Sequence, residues 1–308
     1  MQRRKPRRAS SPDLPSRTVA ELIRCGESRF KKARLCFGHG LPSAYDEAAF
    51  LVLHVLKLSP ATLETRLEER PSPAETRKIL RLFRERVEWR KPAAYLTGEA
   101  WLGGLRFRID ENVIVPRSYI AELLSDALSP WVLRPRQVRS ALDLCTGSGC
   151  LAILLAHAFP KAGIDAADIS PRALRIARHN VSDYGLEERV RVIRSNLFAA
   201  LAGRRYDVIV SNPPYVAAAS LRRLPPEYRH EPEIALAGGG DGLDFVHAIL
   251  RDAGRHLNRH GWLVVEAGHN RERLERAFPR TPFIWPVTSG GDDCVFVVRR
   301  EDLPAGNT

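Results

Sequence analysis

The sequence predicts an α/β protein: a doubly wound, mostly parallel sheet of seven strands, preceded by a small helical domain and a β-hairpin linker. Three observations carry that reading. From residue 138 onward, short apolar runs alternate with amphipathic stretches, the pattern of successive βαβ units. Before residue 91 the apolar residues recur at three- and four-residue spacing instead. Between them, Trp101-Leu-Gly-Gly-Leu-Arg-Phe107 sets a Gly-Gly turn between two partly alternating runs, as a hairpin would.

Taken in order, residues 1–16 form a basic Pro/Ser tail without apolar periodicity, expected to be disordered. Residues 17–91 read as a helical domain. Leu22, Ile23 and Phe30 lie on one helix, Ala48, Leu51, Val55 and Leu58 on the next, and Ile79, Leu80, Leu82, Phe83 and Val87 on a third. Pro60, Pro71 and Pro73 punctuate them. Residues 92–116 form the hairpin linker, which ends in a short strand from Val113. A helix follows, with Ser118 as its expected N-cap.

Residues 117–300 hold the sheet. Strands are expected at Val138–Leu144, Gly163–Asp168, Val190–Arg194, Tyr206–Val210, Trp262–Glu266, Phe283–Val287 and Cys294–Val298. Helices are expected at Cys150–Ala158, Pro171–Asp183, Gly242–Leu257 and Arg271–Phe278. Only Thr288–Asp293 joins the last two strands, which implies an antiparallel hairpin at the sheet's edge.

At 308 residues, 44% of them hydrophobic and 27% charged, the chain reads as an ordinary globular protein able to bury a large core. No apolar run approaches the roughly 20 residues that span a bilayer, so no membrane partner is expected. The basic N-terminus is followed by no apolar segment, which argues against a signal peptide. Five cysteines without metal-ligand spacing suit reduced thiols in the cytoplasm and no metal site. The net charge of +12 suits a nucleic acid or a ribonucleoprotein as partner, with RNA contact through the basic surface one form of it, although genome base composition could account for part of the arginine excess.

Two constellations carry chemistry. The first is Asp143-Leu-Cys145-Thr146-Gly147-Ser148-Gly149, a strand, a glycine turn and a helix start. Gly147 and Gly149 let backbone approach a ligand, and the helix start offers free N–H groups. No Lys-Ser/Thr follows for a phosphate loop, and no third glycine completes the dinucleotide fingerprint. Asp168 ends the next strand about 20 residues on, the offset at which a carboxylate accepts from ribose hydroxyls. Ile169 follows it, and Asn196 and Leu197 after the third strand could read the edge and face of an adenine. These features fit an adenosine-type cofactor over the carboxyl edge of the sheet.

The second is Asn212-Pro213-Pro214-Tyr215 at the end of a strand. Proline stiffens the turn and stops the ladder. The Asn212 side-chain carbonyl and the Pro213 main-chain carbonyl could hold both hydrogens of one planar amino group, with Tyr215 covering its face. A plain Pro-Pro turn, with Asn212 bonded to its own backbone, reads equally well from these four residues alone.

Together these motifs resemble class I S-adenosylmethionine-dependent methyltransferases, whose fold is Rossmann-like. More narrowly they resemble the protein N5-glutamine methyltransferases. Pro116-Arg-Ser118, Glu122, Tyr228-Arg-His-Glu-Pro-Glu233 and Gly239-Gly-Asp-Gly-Leu243 extend the likeness over residues 17–300. Cys145-Thr-Gly-Ser-Gly-Cys150 resembles the branch that modifies the third protein of the large ribosomal subunit. The resemblance implies S-adenosylmethionine held by Asp143, Cys145–Gly149, Asp168, Ile169, Asn196, Leu197 and Asn212. It implies a glutamine amide presented to Asn212–Tyr215, a substrate-recognition role for residues 17–91, and a ribosomal protein, free or in an assembling particle, as partner. Two departures stand out: Cys145 replaces a loop glycine, and Asn196 stands where Asp is common. Asp143 and Glu122 read equally as structural carboxylates. A nucleic-acid adenine methyltransferase is the rival reading, since adenine presents the same planar amino group. A release-factor glutamine methyltransferase and a binding module without turnover are the others.

Overall fold

The computed structural model describes residues 16–304, so the expected basic tail up to residue 15 lies outside the described residues. The chain forms two compact units that meet between Thr97 and Gly98.

The first unit is helical: α1 (Val19–Lys32), α2 (Ala44–Leu56), the short α3 (Leu63–Arg66), α4 (Pro73–Trp89) and α5 (Ala93–Thr97). Two capping boxes start its long helices. Thr18 and Glu21 bond each other's backbone N–H at α1, and Ser72 and Glu75 do so at α4, where Pro73 takes the first turn. The apolar faces meet in an edge-to-face pair, Phe30 on Phe83, with centroids 5.4 Å apart. Beside it the buried Arg86 donates to the buried Glu47, Nε to Oε2 at 2.7 Å, and to the Cys36 carbonyl.

The second unit opens with the expected hairpin, β1 (Glu99–Leu102) and β2 (Leu105–Arg108), turning at Gly103-Gly104. No strand forms at Val113; residues 113–118 run irregularly into α6 (Ile120–Ser125). Ser118 accepts from Ile120 N–H at 3.3 Å, but its hydroxyl proton goes elsewhere, as described below.

A six-stranded sheet then forms in the order β5-β4-β3-β6-β7-β8. Its strands are β3 (Ser140–Leu144), β4 (Gly163–Asp168), β5 (Val190–Arg194), β6 (Tyr206–Ser211), β7 (Leu257–Glu266) and β8 (Val295–Arg299). All pair in parallel except β8 on β7. The connecting helices are α7 (Cys150–Ala158), α8 (Pro171–Asp183), the short α9 (Ala218–Leu221), α10 (Asp244–His256) and α11 (Arg271–Ala277). The two faces of the sheet bury separate apolar clusters, one under α7 and one under α10.

The seventh expected strand, Phe283–Val287, is a correction. It makes a single antiparallel bridge, Ile284 to Val297. Pro282 precedes it and Pro286 lies within it, and both lack the N–H groups a ladder needs. Its aromatic side chains pack instead, with Phe283 and Trp285 against Phe296.

The strand order reverses between β4-β3 and β6, so the carboxyl ends of β3 and β6 diverge into helices on opposite faces. In open α/β sheets that point is a crevice, and ligands bind there. Among the described residues, no helix is long and apolar enough to cross a membrane.

Candidate active site

A cavity opens at that reversal. Its wall includes Cys145, Gly147, Asp168, Ile169, Asn196, Leu197, Asn212 and Pro214, which the sequence places in two separate constellations. Asp143, Thr146, Ser148, Gly149, Pro213 and Tyr215 do not line it.

The glycine-turn wall is built by short-range bonds. Thr146 N–H donates to the Ala167 carbonyl, tying the turn to the end of β4. Gly147 N–H donates to Asp168 Oδ2 at 2.9 Å, and Ser170 N–H to Oδ1 at 2.8 Å. Each Asp168 oxygen keeps a lone pair for a ligand hydroxyl. Burial pushes the Asp168 carboxyl above its usual range, and the backbone N–H groups pull it back. The positive φ of Gly147, +55°, suits glycine. Cys145 adopts φ +62° and Leu197 φ +45°, the left-handed region that side chains disfavour. Cys145 therefore holds a glycine conformation where glycine would be expected. Strain of this kind persists where surrounding contacts over-determine it. Ser195 supplies such contacts at Leu197, donating to its carbonyl and accepting from Ala200 N–H.

Beneath the turn, Asp143 is fully buried and accepts from Thr146 Oγ1 and, at 2.9 Å, from Ala152 N–H. Its Oδ1 has no hydrogen-bond partner among the described residues. Burial drives its pKa up to about 7. It braces the start of α7, the structural role left open for it. Glu122 is likewise structural: both its oxygens accept from Ser289, N–H and hydroxyl.

The shelf wall is held from far along the chain. Ser211 at the end of β6 donates to the Leu144 carbonyl at 2.8 Å, drawing the shelf beside the glycine turn. Tyr215 donates from Oη to Glu266 Oε1 at 3.0 Å, and Gly268 gives its ring room, since a Cβ there would lie 2.9 Å from it. The other oxygen of Glu266 accepts from Ser118 Oγ at 2.7 Å and Tyr119 N–H at 2.9 Å. Burial raises both the Glu266 carboxyl and the Tyr215 hydroxyl above their ordinary ranges. A second latch joins Arg117 to Glu231 through both guanidinium Nη atoms, Nη2 to Oε2 at 2.8 Å, while Val115 N–H also donates to Glu231. Arg117 further stacks over Tyr228 at 5.7 Å.

Sequence reasoning missed Glu266 altogether. Its place at the carboxyl end of a strand, the edge where sites gather, was the available signal. It also missed the strap Asn112-Val113-Ile114 and the Ile234, Ala235 and Phe245 side chains, all of which line the cavity. Ile169 and Ile234 are 45% and 58% exposed there, large apolar surfaces open to the cavity.

The residues present fit an adenosine-type cofactor. A carboxylate with spare lone pairs stands at the β4 end, apolar faces flank it, and a side-chain-free Gly147 leaves nothing within 4 Å of where a Cβ would sit. Known proteins resemble this chain over nearly its full length. Residues 122–224 match the methyltransferase small domain, and residues 21–98 match the PrmC N-terminal domain. The ribosomal protein uL3 glutamine methyltransferase of Bordetella pertussis is 53% identical over 93% of this chain and 96% of its own length. The enzyme of the same name from Burkholderia pseudomallei is 51% identical over 94% and 97%.

The chain belongs to the ribosomal protein uL3 glutamine methyltransferase family.

It is thus an enzyme of the methyltransferase class, as the Gly-turn and Asn-Pro-Pro-Tyr motifs led one to expect. Among solved structures, the hMettl16 catalytic domain in complex with a MAT2A 3'UTR hairpin superposes with a TM-score of 0.51. It is 16% identical and covers 85% of this chain and 95% of that one, a likeness of fold alone.

Proposed function

We propose that this chain transfers a methyl group from S-adenosylmethionine to the side-chain N5 of a glutamine in ribosomal protein uL3, free or in an assembling large subunit. The observation that carries the reading is one cavity wall holding both Asp168, beside the glycine turn, and Asn212, on the proline shelf. The names of the near relatives support the substrate. A ribosomal substrate also suits the cytoplasm, where five cysteines without a disulfide stay reduced.

When bound, S-adenosylmethionine supplies an electrophilic methyl group on a positively charged sulfur. Asp168 and the Gly147 backbone would hold its ribose end, with Ile169 and Leu197 against the adenine faces. Cys145, Thr146, Ser148, Gly149 and Asp143 would shape that end, and Asn196 would read the base edge. The chemical difficulty is the acceptor, since an amide nitrogen delocalises its lone pair into the carbonyl. Asn212 Oδ1 and the Pro213 carbonyl would accept the two amide hydrogens, raise electron density on nitrogen and aim it at the methyl. As the new N–C bond forms, the methyl–sulfur bond would break with its electron pair left on sulfur, and the amide would give up one hydrogen as a proton to solvent. Positioning and fixed dipoles carry the rate in this scheme, because Asn212 has no titratable proton near neutral pH. Tyr215 anchors the shelf through its bond to Glu266, and Pro214 stiffens the turn.

The test is single-turnover transfer to purified uL3, followed by mass spectrometry. One glutamine should gain a methyl group. Asn212→Ala should lose about 100- to 1,000-fold in turnover, the usual cost of one preorganised polar contact, with much smaller change in binding of the demethylated cofactor. Near-native turnover by that variant, or transfer to adenine in duplex DNA at a comparable rate, overturns the proposal.

A further inference from the structure

A groove runs between α1 and α4 within the helical unit, well away in sequence from the residues just described. Five basic side chains border it: Arg29 and Lys32 from α1, and Arg77, Arg81 and Arg84 from α4. Among the described residues, Glu88 is the one acid on its wall. Its floor is apolar, formed by Ala33, Leu80, Phe83 and Val87. We infer that this groove is an RNA-binding surface, which takes the phosphate backbone of RNA carried with the protein substrate. The inference rests on the ribosomal substrate proposed above.

The spacing of the charges favours a polyanionic strand. Residues 77, 81 and 84 follow the i, i+4, i+7 stripe of one helix face. They span roughly 10 Å of helix axis, over which a nucleic-acid strand presents about three phosphates. Arg29 and Lys32 sit three apart on the facing helix, so charge borders both sides. Every one of the five is exposed.

Little inside the fold uses these charges. Arg29, Lys32 and Arg77 make no ion pair among the described residues. Arg81 and Arg84 reach Glu85 and Glu88 only at 3.6 and 4.0 Å, with side chains 60% and 63% exposed. Such exposed pairs contribute little and give way to a stronger anion. Arginine's planar fork suits phosphate oxygens, and the apolar floor supports its long stem. The buried Arg86, one position off the stripe, shows the contrast: it is committed to Glu47 inside the unit.

The experiment follows binding of a fluorescein-labelled RNA hairpin to the full chain by anisotropy across a salt series. The unaltered chain should bind with log K falling linearly against log salt. The variant Arg77→Gln/Arg81→Gln/Arg84→Gln should lose about 10- to 100-fold in affinity, and its salt slope should shrink by about two to three. Binding of S-adenosylmethionine, whose proposed site lies in the second unit, should stay unchanged. The variant Arg29→Gln/Lys32→Gln, on the other helix, should lower the slope by about one to two and stands in if the triple variant does not fold. Unchanged affinity and slope in both variants overturn the inference. So does competition by polyglutamate equal to that by unlabelled RNA, which would mark the groove as a site for an acidic protein segment. Either result with intact methyl transfer leaves the proposed function standing. Absence of any transfer to uL3 by the unaltered chain would count against that function and not against the groove.

Discussion

The two walls of the cavity are held together over very different distances along the chain. At the glycine-turn wall, Ser195 reaches two residues to Leu197, Thr146 three to Asp143, and Gly147 21 to Asp168. At the shelf wall, Tyr215 reaches 51 residues to Glu266, Arg117 reaches 114 to Glu231, and Ser118 reaches 148 to Glu266. The first wall is complete once β3, β4 and β5 have paired. The second exists only when the whole second unit has closed, and charged groups buried at great sequence separation do the closing. A shared cavity wall therefore combines a locally encoded half with a half that depends on a few long-range contacts.

The difference can be broken most forcibly at the Arg117–Glu231 latch. The Glu231 side chain is fully buried there and that of Arg117 is 22% exposed. Arg117→Ala removes the guanidinium that faces the buried Glu231 carboxylate and should cost about 3–5 kcal/mol of unfolding free energy in denaturant titration. Pairing it with Glu231→Leu should recover part of the loss. Equal destabilisation by the single and double variants would show that the charge pair is not what closes this wall.

At the other wall the expected loss is smaller and is read in binding. Asp168→Ala removes the acceptor for Gly147 and Ser170 and should weaken S-adenosylmethionine binding by roughly 1–3 kcal/mol in calorimetry. Unchanged affinity would remove Asp168 from the cofactor site.

A pH series sharpens the comparison from beneath the turn. The pKa of Asp143 rises from an ordinary 3.8 to about 7 on folding. The folded state therefore holds this proton more tightly than the unfolded chain does. The group's contribution to stability is present below the unfolded value and is lost as pH rises from about 4 to about 7, at up to about 1.4 kcal/mol per pH unit. Asp143→Asn, which keeps an acceptor for Ala152, should flatten that part of the stability profile. An identical profile for the variant would mean that Asp143 ionises normally in the fold.

The smallest effect is expected at the Tyr215 hydroxyl. Tyr215→Phe keeps the ring against Gly268 and leaves Glu266 with the Ser118 and Tyr119 donors. Loss of the one bond should cost about 0.5–1.5 kcal/mol of stability, with turnover reduced less than in Asn212→Ala. A turnover loss as large as that of Asn212→Ala would give the hydroxyl a part in the reaction itself.

Much of this fold was legible in the sequence. Periodicity located α7 and α8 to the residue, because their apolar faces, Pro171 and the glycine turn mark both period and boundary locally. The hairpin at Gly103-Gly104 was equally plain. Phe283–Val287 was misread because an apolar run looks like a strand whether or not a neighbour can pair with it, and Pro282 and Pro286 settled the matter.

By itself, then, the sequence determined the order of elements, the glycine turn, the acid 21 residues beyond it and the proline shelf. Each of these is written in contiguous residues whose backbone preferences act locally. Only the tertiary structure decided that Glu266, Ser118 and Tyr215 share one buried carboxylate, that Asn180 bonds both Arg108 of the hairpin and the Ser148 carbonyl, and that Glu231 holds Arg117. The physical reason is desolvation. A carboxylate or amide in the linear sequence carries no mark of its partner, and burial alone obliges it to find one, however far along the chain that partner lies.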